Sequence, residues 1–232
     1  MILAFLLTTA LGLLPVSPQE TQLPVTTYQM VLLKKGPSQP PSAPEMQKQM
    51  QDQHLAGLAE LNRKRVALIY GPILAEGDLK GVAVLAVPTA EEAKQAFAND
   101  PFVKAGVMVA EVRPWRGPTN VFEVPSSYDV SNPSNLEPLV FGFYMQGPAP
   151  APAAADQIQA GHLAYLDSLR KQGKLAAVGP FTDDGPERGA VIYRVKDVSA
   201  AKALAAEDPA VIAGRFTLQA YPWTTFKGIL KP

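Results

Sequence analysis

The sequence predicts an α+β protein made of two tandem split-βαβ units, each of order β-α-β-β-α-β. Two observations carry this expectation. The chain repeats itself: HLAGLAEL from His54 returns as HLAYLDSL from His162. Gly71-Pro72, Asp100-Pro101 and Pro114-Trp115 then return in the same order as Gly179-Pro180, Asp208-Pro209 and Pro222-Trp223. Residues 54–115 and 162–223 align without a gap and roughly a third of the positions are identical, which marks an internal duplication. Within each copy, short β-branched and apolar runs alternate with Pro-free stretches of good helix formers. The chain has only 2 histidines and 2 tryptophans, and both pairs fall at equivalent repeat positions.

In the first unit, Val25 to Leu33 (VTTYQMVLL) reads as a strand that ends at Lys34-Lys35-Gly36-Pro37. A Ser/Pro loop leads to a helix from Glu45 to about Arg65, on which His54, Leu58 and Leu61 share one face. Val66 to Leu74 is a strand bent at Gly71-Pro72. Gly81 to Val87 is a second middle strand. Thr89-Ala90-Glu91-Glu92 has the spacing of a capping box and opens the second helix. Asp100-Pro101 opens a further helical turn, and Val107 to Val112 is the closing strand.

Residues 116–138 are rich in Pro and Asn and read as a linker. The second unit repeats the order: strand from Leu139, helix Ala153 to Gln172 ended by Gly173, strands Leu175 to Phe181 and Ala190 to Val195, helix Val198 to Ala206, strand Arg215 to Ala220. Thr224 to Pro232 reads as a tail. A four-stranded sheet with both helices on one face leaves the other face bare, and the duplicated partner is expected to cover it.

Ile2 to Val16 is apolar apart from Thr8 and Thr9, a run short for a membrane-spanning helix, which needs about 20 residues. Residues 1–20 are therefore expected to be a signal peptide or N-terminal anchor of an exported protein, periplasmic or secreted. No Lys or Arg precedes the run, and Pro15 and Pro18 crowd the junction, so a disordered N-terminus is the competing expectation.

The bulk composition excludes several classes. Apolar residues make up 47% of the 232 and charged residues 18%, a globular composition. The 21 basic residues balance 21 acidic ones, so no net field favours nucleic acid, and a membrane is expected only through an uncleaved N-terminal segment. Absence of cysteine removes disulfides, thiolate metal sites and Cys nucleophiles. No Gly-rich phosphate loop, His/carboxylate metal cluster or nucleophile elbow occurs, and no cofactor or metal is expected.

Four residues are candidates for chemistry. His54 and His162 lie on apolar helix faces, where packing would tolerate Leu, Met or Gln, yet both copies keep imidazole, an acid or base near neutral pH. Asp100 and Asp208 precede Pro, as helix N-caps do. A carboxylate beside the His would also fix its tautomer. Gly71 and Gly179 mark a bulge or a close approach of backbone or ligand, and Trp115 and Trp223 read as core or inter-repeat anchors.

These motifs resemble the YCII-related family. The matching residues in the first copy are His54-Leu55, Leu58, Leu61, Gly71-Pro72, Gly81, Asp100-Pro101-Phe102, Val103, Ala105-Gly106 and Pro114-Trp115. In the second they are His162-Leu163, Gly179-Pro180-Phe181, Asp183-Asp184-Gly185, Asp208-Pro209 and Ala213-Gly214. The resemblance implies ferredoxin-like units that pair as a dimeric α/β barrel, here within one chain. It also implies candidate active pairs His54 with Asp100 and His162 with Asp208. One branch of the family includes a dehydrochlorinase acting on a chlorinated hydroxyquinol, but fold does not carry activity with it. Ala210 departs from the Asp-Pro-aromatic pattern in the second copy, which sets the two sites apart. The expectation is a cofactor-free lyase or isomerase-type enzyme on a small organic molecule. The alternatives are a small-ligand-binding module without catalysis and a structural module.

Overall fold

The computed structural model describes residues 24–124, 132–149 and 154–231. The expected export segment therefore lies outside the described residues, as do residues 125–131 of the linker and residues 150–153 before the second repeat's helix. The first unit comprises β1 (Val25–Lys35), α1 (Pro44–Arg63), β2 (Ala67–Pro72), β3 (Leu79–Leu85), α2 (Ala90–Phe97), α3 (Pro101–Lys104) and β4 (Met108–Pro118). The second comprises β5 (Leu136–Gln146), α4 (Ala155–Lys171), β6 (Leu175–Pro180), β7 (Glu187–Tyr193), α5 (Val198–Ala206), α6 (Pro209–Ile212) and β8 (Phe216–Phe226). Each forms an antiparallel four-stranded sheet, of order β2-β3-β1-β4 and β6-β7-β5-β8. These are two ferredoxin-like units.

Local chemistry sets the helix starts. Thr89 Oγ1 accepts from the Glu92 amide at 3.1 Å and donates to its carboxylate at 3.0 Å, so the capping pair forms as the spacing implied. Asp100 and Asp208 cap α3 and α6, each followed by Pro in the first turn. Gly173, just beyond α4, sits at φ +69°, a left-handed conformation that Gly adopts without a Cβ penalty.

Strand alternation sends apolar side chains to both faces of each sheet. Met30, Leu32, Phe141, Phe143, Trp115 and Trp223 belong to one cluster drawn from both repeats, between the sheets. Val140, Tyr144, Leu166, Leu169, Val191 and Tyr193 pack between the second sheet and its helices. The space enclosed by the two sheets is thus filled by large apolar side chains, as in a small closed barrel.

Two equivalent seams close that barrel. The Leu74 amide donates to the Pro222 carbonyl at 2.8 Å, and Thr182 donates to Pro114 at 3.0 Å. Trp223 Nε1 reaches the Gly71 carbonyl at 3.0 Å, and Trp115 Nε1 reaches Gly179 at 2.9 Å. A Cβ on Gly71 would collide with the Thr224 carbonyl, and one on Gly179 with that of Arg116. The glycine at these positions is required by the backbone of the opposite repeat. Pro114 and Pro222 turn their carbonyls outward to the seam, where a missing N–H costs their own sheet nothing. One seam adds ions: Arg113, 6% exposed, binds Asp183 at 2.5 and 2.9 Å and Glu187 at 3.0 Å. Burial opposes the guanidinium charge, but the two carboxylates outweigh it and hold the Arg113 pKa above its ordinary value. At the other seam the aligned residues are Tyr221, Ala75 and Leu79.

Two readings of the sequence require correction. The linker is shorter than 116–138, because Arg116, Gly117 and Pro118 pair with Thr27, Thr26 and Val25, and β5 begins at Leu136. Thr224 to Pro232 is not a loose tail. Thr224, Thr225 and Phe226 complete β8 against Pro138, Glu137 and Leu136. Ile229 and Leu230 are then buried, and Leu230 bridges Phe122. Their apolar surface is what draws this segment into the core.

Candidate active site

The fold brings each histidine to its aspartate. In the first repeat, α1 carries His54 across α3, whose N-cap is Asp100. His54 Nδ1 lies 2.5 Å from Asp100 Oδ2. The other oxygen, Oδ1, accepts the amides of Phe102 at 3.0 Å and Val103 at 3.3 Å. In the second repeat His162 Nδ1 lies 2.8 and 2.9 Å from the two oxygens of Asp208, and Oδ1 accepts the Ala210 amide at 2.9 Å. The cap and the imidazole partner are the same carboxylate in both copies.

This geometry fixes the protonation pattern of the ring. An ionised Asp only accepts, so Nδ1 must carry the hydrogen, and the lone pair of the neutral ring is left on Nε2. No described residue hydrogen-bonds Nε2 of either histidine. Neither Nε2 is among the fully buried, unpartnered atoms, which are Gln29 Oε1 and Tyr70 OH. The two residues keep small exposed fractions, 9% for His54 and 7% for His162. Each pair therefore presents one free, oriented ring nitrogen.

The surroundings differ. His54 meets Phe102 edge-on, with ring centroids 5.3 Å apart. His162 is flanked by Tyr144 and Phe216 at 5.4 and 5.5 Å. Tyr144 OH donates to Asp208 Oδ2 at 3.1 Å and so must accept from Tyr193 OH, 3.0 Å away. Burial, followed by the neighbouring Tyr193 and Asp208 charges, raises the Tyr144 pKa far above the ordinary phenol value, which keeps it a donor. Tyr193 is likewise raised, chiefly by burial. The pairing register places Leu33 and Leu85 of the first repeat where these tyrosines stand in the second. Sequence reasoning missed the tyrosine clamp; its trace is a pair of polar-tipped rings at positions that are leucine in the other copy.

Two cavities open on the surface. One of about 360 Å³ lies along the start of α1 and reaches Phe102. The other, about 420 Å³, is bounded by Leu74, Leu139, Val140, Asp197, Pro222 and Trp223. Neither is lined by His54, Asp100, His162 or Asp208. Among the described residues no group of three His, Asp or Glu side chains is placed to hold a metal ion. No described helix is long and apolar enough to cross a membrane.

Solved structures place this architecture among known barrels. A chlorite dismutase variant from Candidatus Nitrospira defluvii superposes with TM-score 0.56 at 9% identity, over 88% of this chain and 92% of that one. A monooxygenase-type protein from Lactobacillus acidophilus NCFM gives 0.51 at 11% identity, over 88% and 98%. Both share the fold. A 5-chloro-2-hydroxyhydroquinone dehydrochlorinase from Burkholderia phenoliruptrix AC1100, solved with 2,5-dihydroxybenzoquinone, matches 35% of this chain and 89% of its own at 21% identity and TM-score 0.29. No curated protein sequence matches the chain. The YCII-related domain model matches residues 28–116 and again 142–224, one match in each repeat. The chain belongs to the YCII-related domain family, with two copies folded into one barrel.

Proposed function

We propose that this is an exported enzyme that transfers a proton on a small organic molecule without a cofactor, in the manner of a lyase or isomerase, and that its working pair is His54 with Asp100. The observation that supports this most is the oriented imidazole: Nδ1 is held by Asp100, while Nε2 has no partner among the described residues. Nε2 takes a proton from a substrate C–H or O–H. In an elimination the released electron pair expels the leaving group; in an isomerisation the proton returns at another carbon. Asp100 is a positioning residue, which holds the tautomer and faces the charge that forms on the ring. Export rests on the apolar run Ile2 to Val16. N-terminal sequencing of the protein recovered outside the cytoplasm checks it, because a cleaved leader leaves a product that begins beyond that run.

His162 and Asp208 favour a second reading. Asp208 is fully buried and accepts from three donors: the ring, Tyr144 and the Ala210 amide. That arrangement ties helix to sheet as a structural clamp. The test of the catalytic reading is His54→Gln, assayed on a substrate found by screening. Turnover falls at least about 100-fold if the imidazole is the acid–base group, and unchanged turnover rejects it.

A further inference from the structure

The geometry points to the cavity at the start of α1 as the binding site that serves His54, with Phe102 as its specificity-determining wall. This rests on the acid–base reading of His54. The cavity, about 360 Å³, is lined by Pro40, Pro44, Gln47, Lys48, Met50, Gln51 and Phe102. Pockets that hold small molecules begin at about this volume. Gln47, Met50, Gln51 and His54 fall at i, i+3, i+4 and i+7 on α1, so the cavity floor and the imidazole share one helix face. Helical side chains lean toward the N-terminus, which from His54 is the direction of the turn that carries Met50 and Gln51.

Phe102 touches both the cavity and the imidazole. Its ring lines the cavity and also meets His54 edge-on at 5.3 Å. Its amide is held by Asp100, so one carboxylate sets both the imidazole tautomer and the position of this ring. The second repeat has no such wall, because Ala210 stands there, wholly buried. Gly161, where the first repeat has Gln53, lets α6 press onto α4: an added Cβ would lie 3.3 Å from Pro209.

The lining defines the ligand. Pro40, Pro44, Met50 and Phe102 offer flat apolar contact. Gln47 already donates to the Pro41 carbonyl at 2.7 Å, and Lys48 is paired with Asp52 at 2.6 Å, so the cavity is not a strong anion site. The chemistry fits an uncharged, planar ring compound whose hydroxyl or acidic C–H faces Nε2.

With two histidines in the chain, the ring Cε1–H signals form a two-line NMR spectrum, assigned with His54→Gln and His162→Gln. Benzyl alcohol is the probe and cyclohexylmethanol its non-planar control. Benzyl alcohol shifts the His54 signal saturably and leaves that of His162 in place. Loss of the planar contact, in Phe102→Leu or in the control ligand, weakens binding by about three- to tenfold, while Phe102→Leu retains the His54 Nδ1–H tautomer. No shift at His54, equal shifts at both rings, or unchanged affinity in Phe102→Leu overturns the site. The two claims fail separately. Intact turnover in His54→Gln with Phe102-sensitive binding removes the catalytic reading alone, and lost turnover with Phe102-insensitive binding removes the cavity alone.

Discussion

The two His–Asp pairs descend from one duplicated unit and each hold the ring through Nδ1, yet their carboxylates live in different surroundings. Asp100 serves an imidazole and two backbone amides at a partly exposed helix start, beside a cavity. Asp208 has a tyrosine hydroxyl in place of one of those amides, with a second tyrosine behind it, and has no exposed surface. On the proposed reading, the carboxylate with no exposed surface anchors the fold, and the one near an opening supports chemistry at its partner. On that reading, duplication lets one copy take on the structural duty while the other keeps the chemistry. Both seams, by contrast, keep the same Trp-to-Gly bond, because the barrel needs each of them equally.

The largest expected contrast is catalytic. His54→Gln loses at least about 100-fold in kcat/KM, while His162→Gln stays within about threefold. Equal losses would return both pairs to the active machinery.

Stability should reverse the order. Asp208→Ala strands a buried imidazole, a tyrosine hydroxyl and a helix amide, at a cost of about 3–5 kcal/mol in urea unfolding. Asp100→Ala removes a cap and the partner of a less deeply buried imidazole, and costs less, about 1–2 kcal/mol. Similar values for the two would deny the clamp.

A smaller effect isolates the tyrosines. Tyr144→Phe keeps the ring and removes the hydroxyl between Tyr193 and Asp208, for about 1–2 kcal/mol. It also changes the alkaline limb of stability. The folded-state pKa values of Tyr144 and Tyr193 lie above 10.0, the ordinary phenol value, and burial takes Tyr70 up to about 12. Above pH 10 the unfolded chain releases protons that these residues retain when folded, so their stabilisation is complete below pH 10 and is lost as pH rises further. In Tyr144→Phe that loss is shallower. An unaltered slope would show that the buried network does not titrate with unfolding.

Much of this was legible in the chain. The duplication gave the element order; Thr89, Asp100 and Asp208 marked helix starts; and the recurrence of His and Asp named the pairs that the fold brings into contact. Repeat spacing alone could not show which repeat Trp115 would reach, because its partner Gly179 is set by the barrel seam. Nor could it show that Ile229 and Leu230 fold back, since an apolar end announces burial without naming its site. The tyrosine clamp was hidden because Tyr144 and Tyr193 sit in runs that read simply as buried strand.

The central claim is that Asp100 holds hydrogen on His54 Nδ1 and leaves Nε2 as the free base. Long-range ¹H–¹⁵N spectra of protein labelled at its two histidines, recorded where the rings are neutral, test this directly. The predicted result is an Nδ1–H, unprotonated-Nε2 pattern for His54 that is lost in Asp100→Ala. A hydrogen on Nε2 in the unsubstituted protein would contradict it.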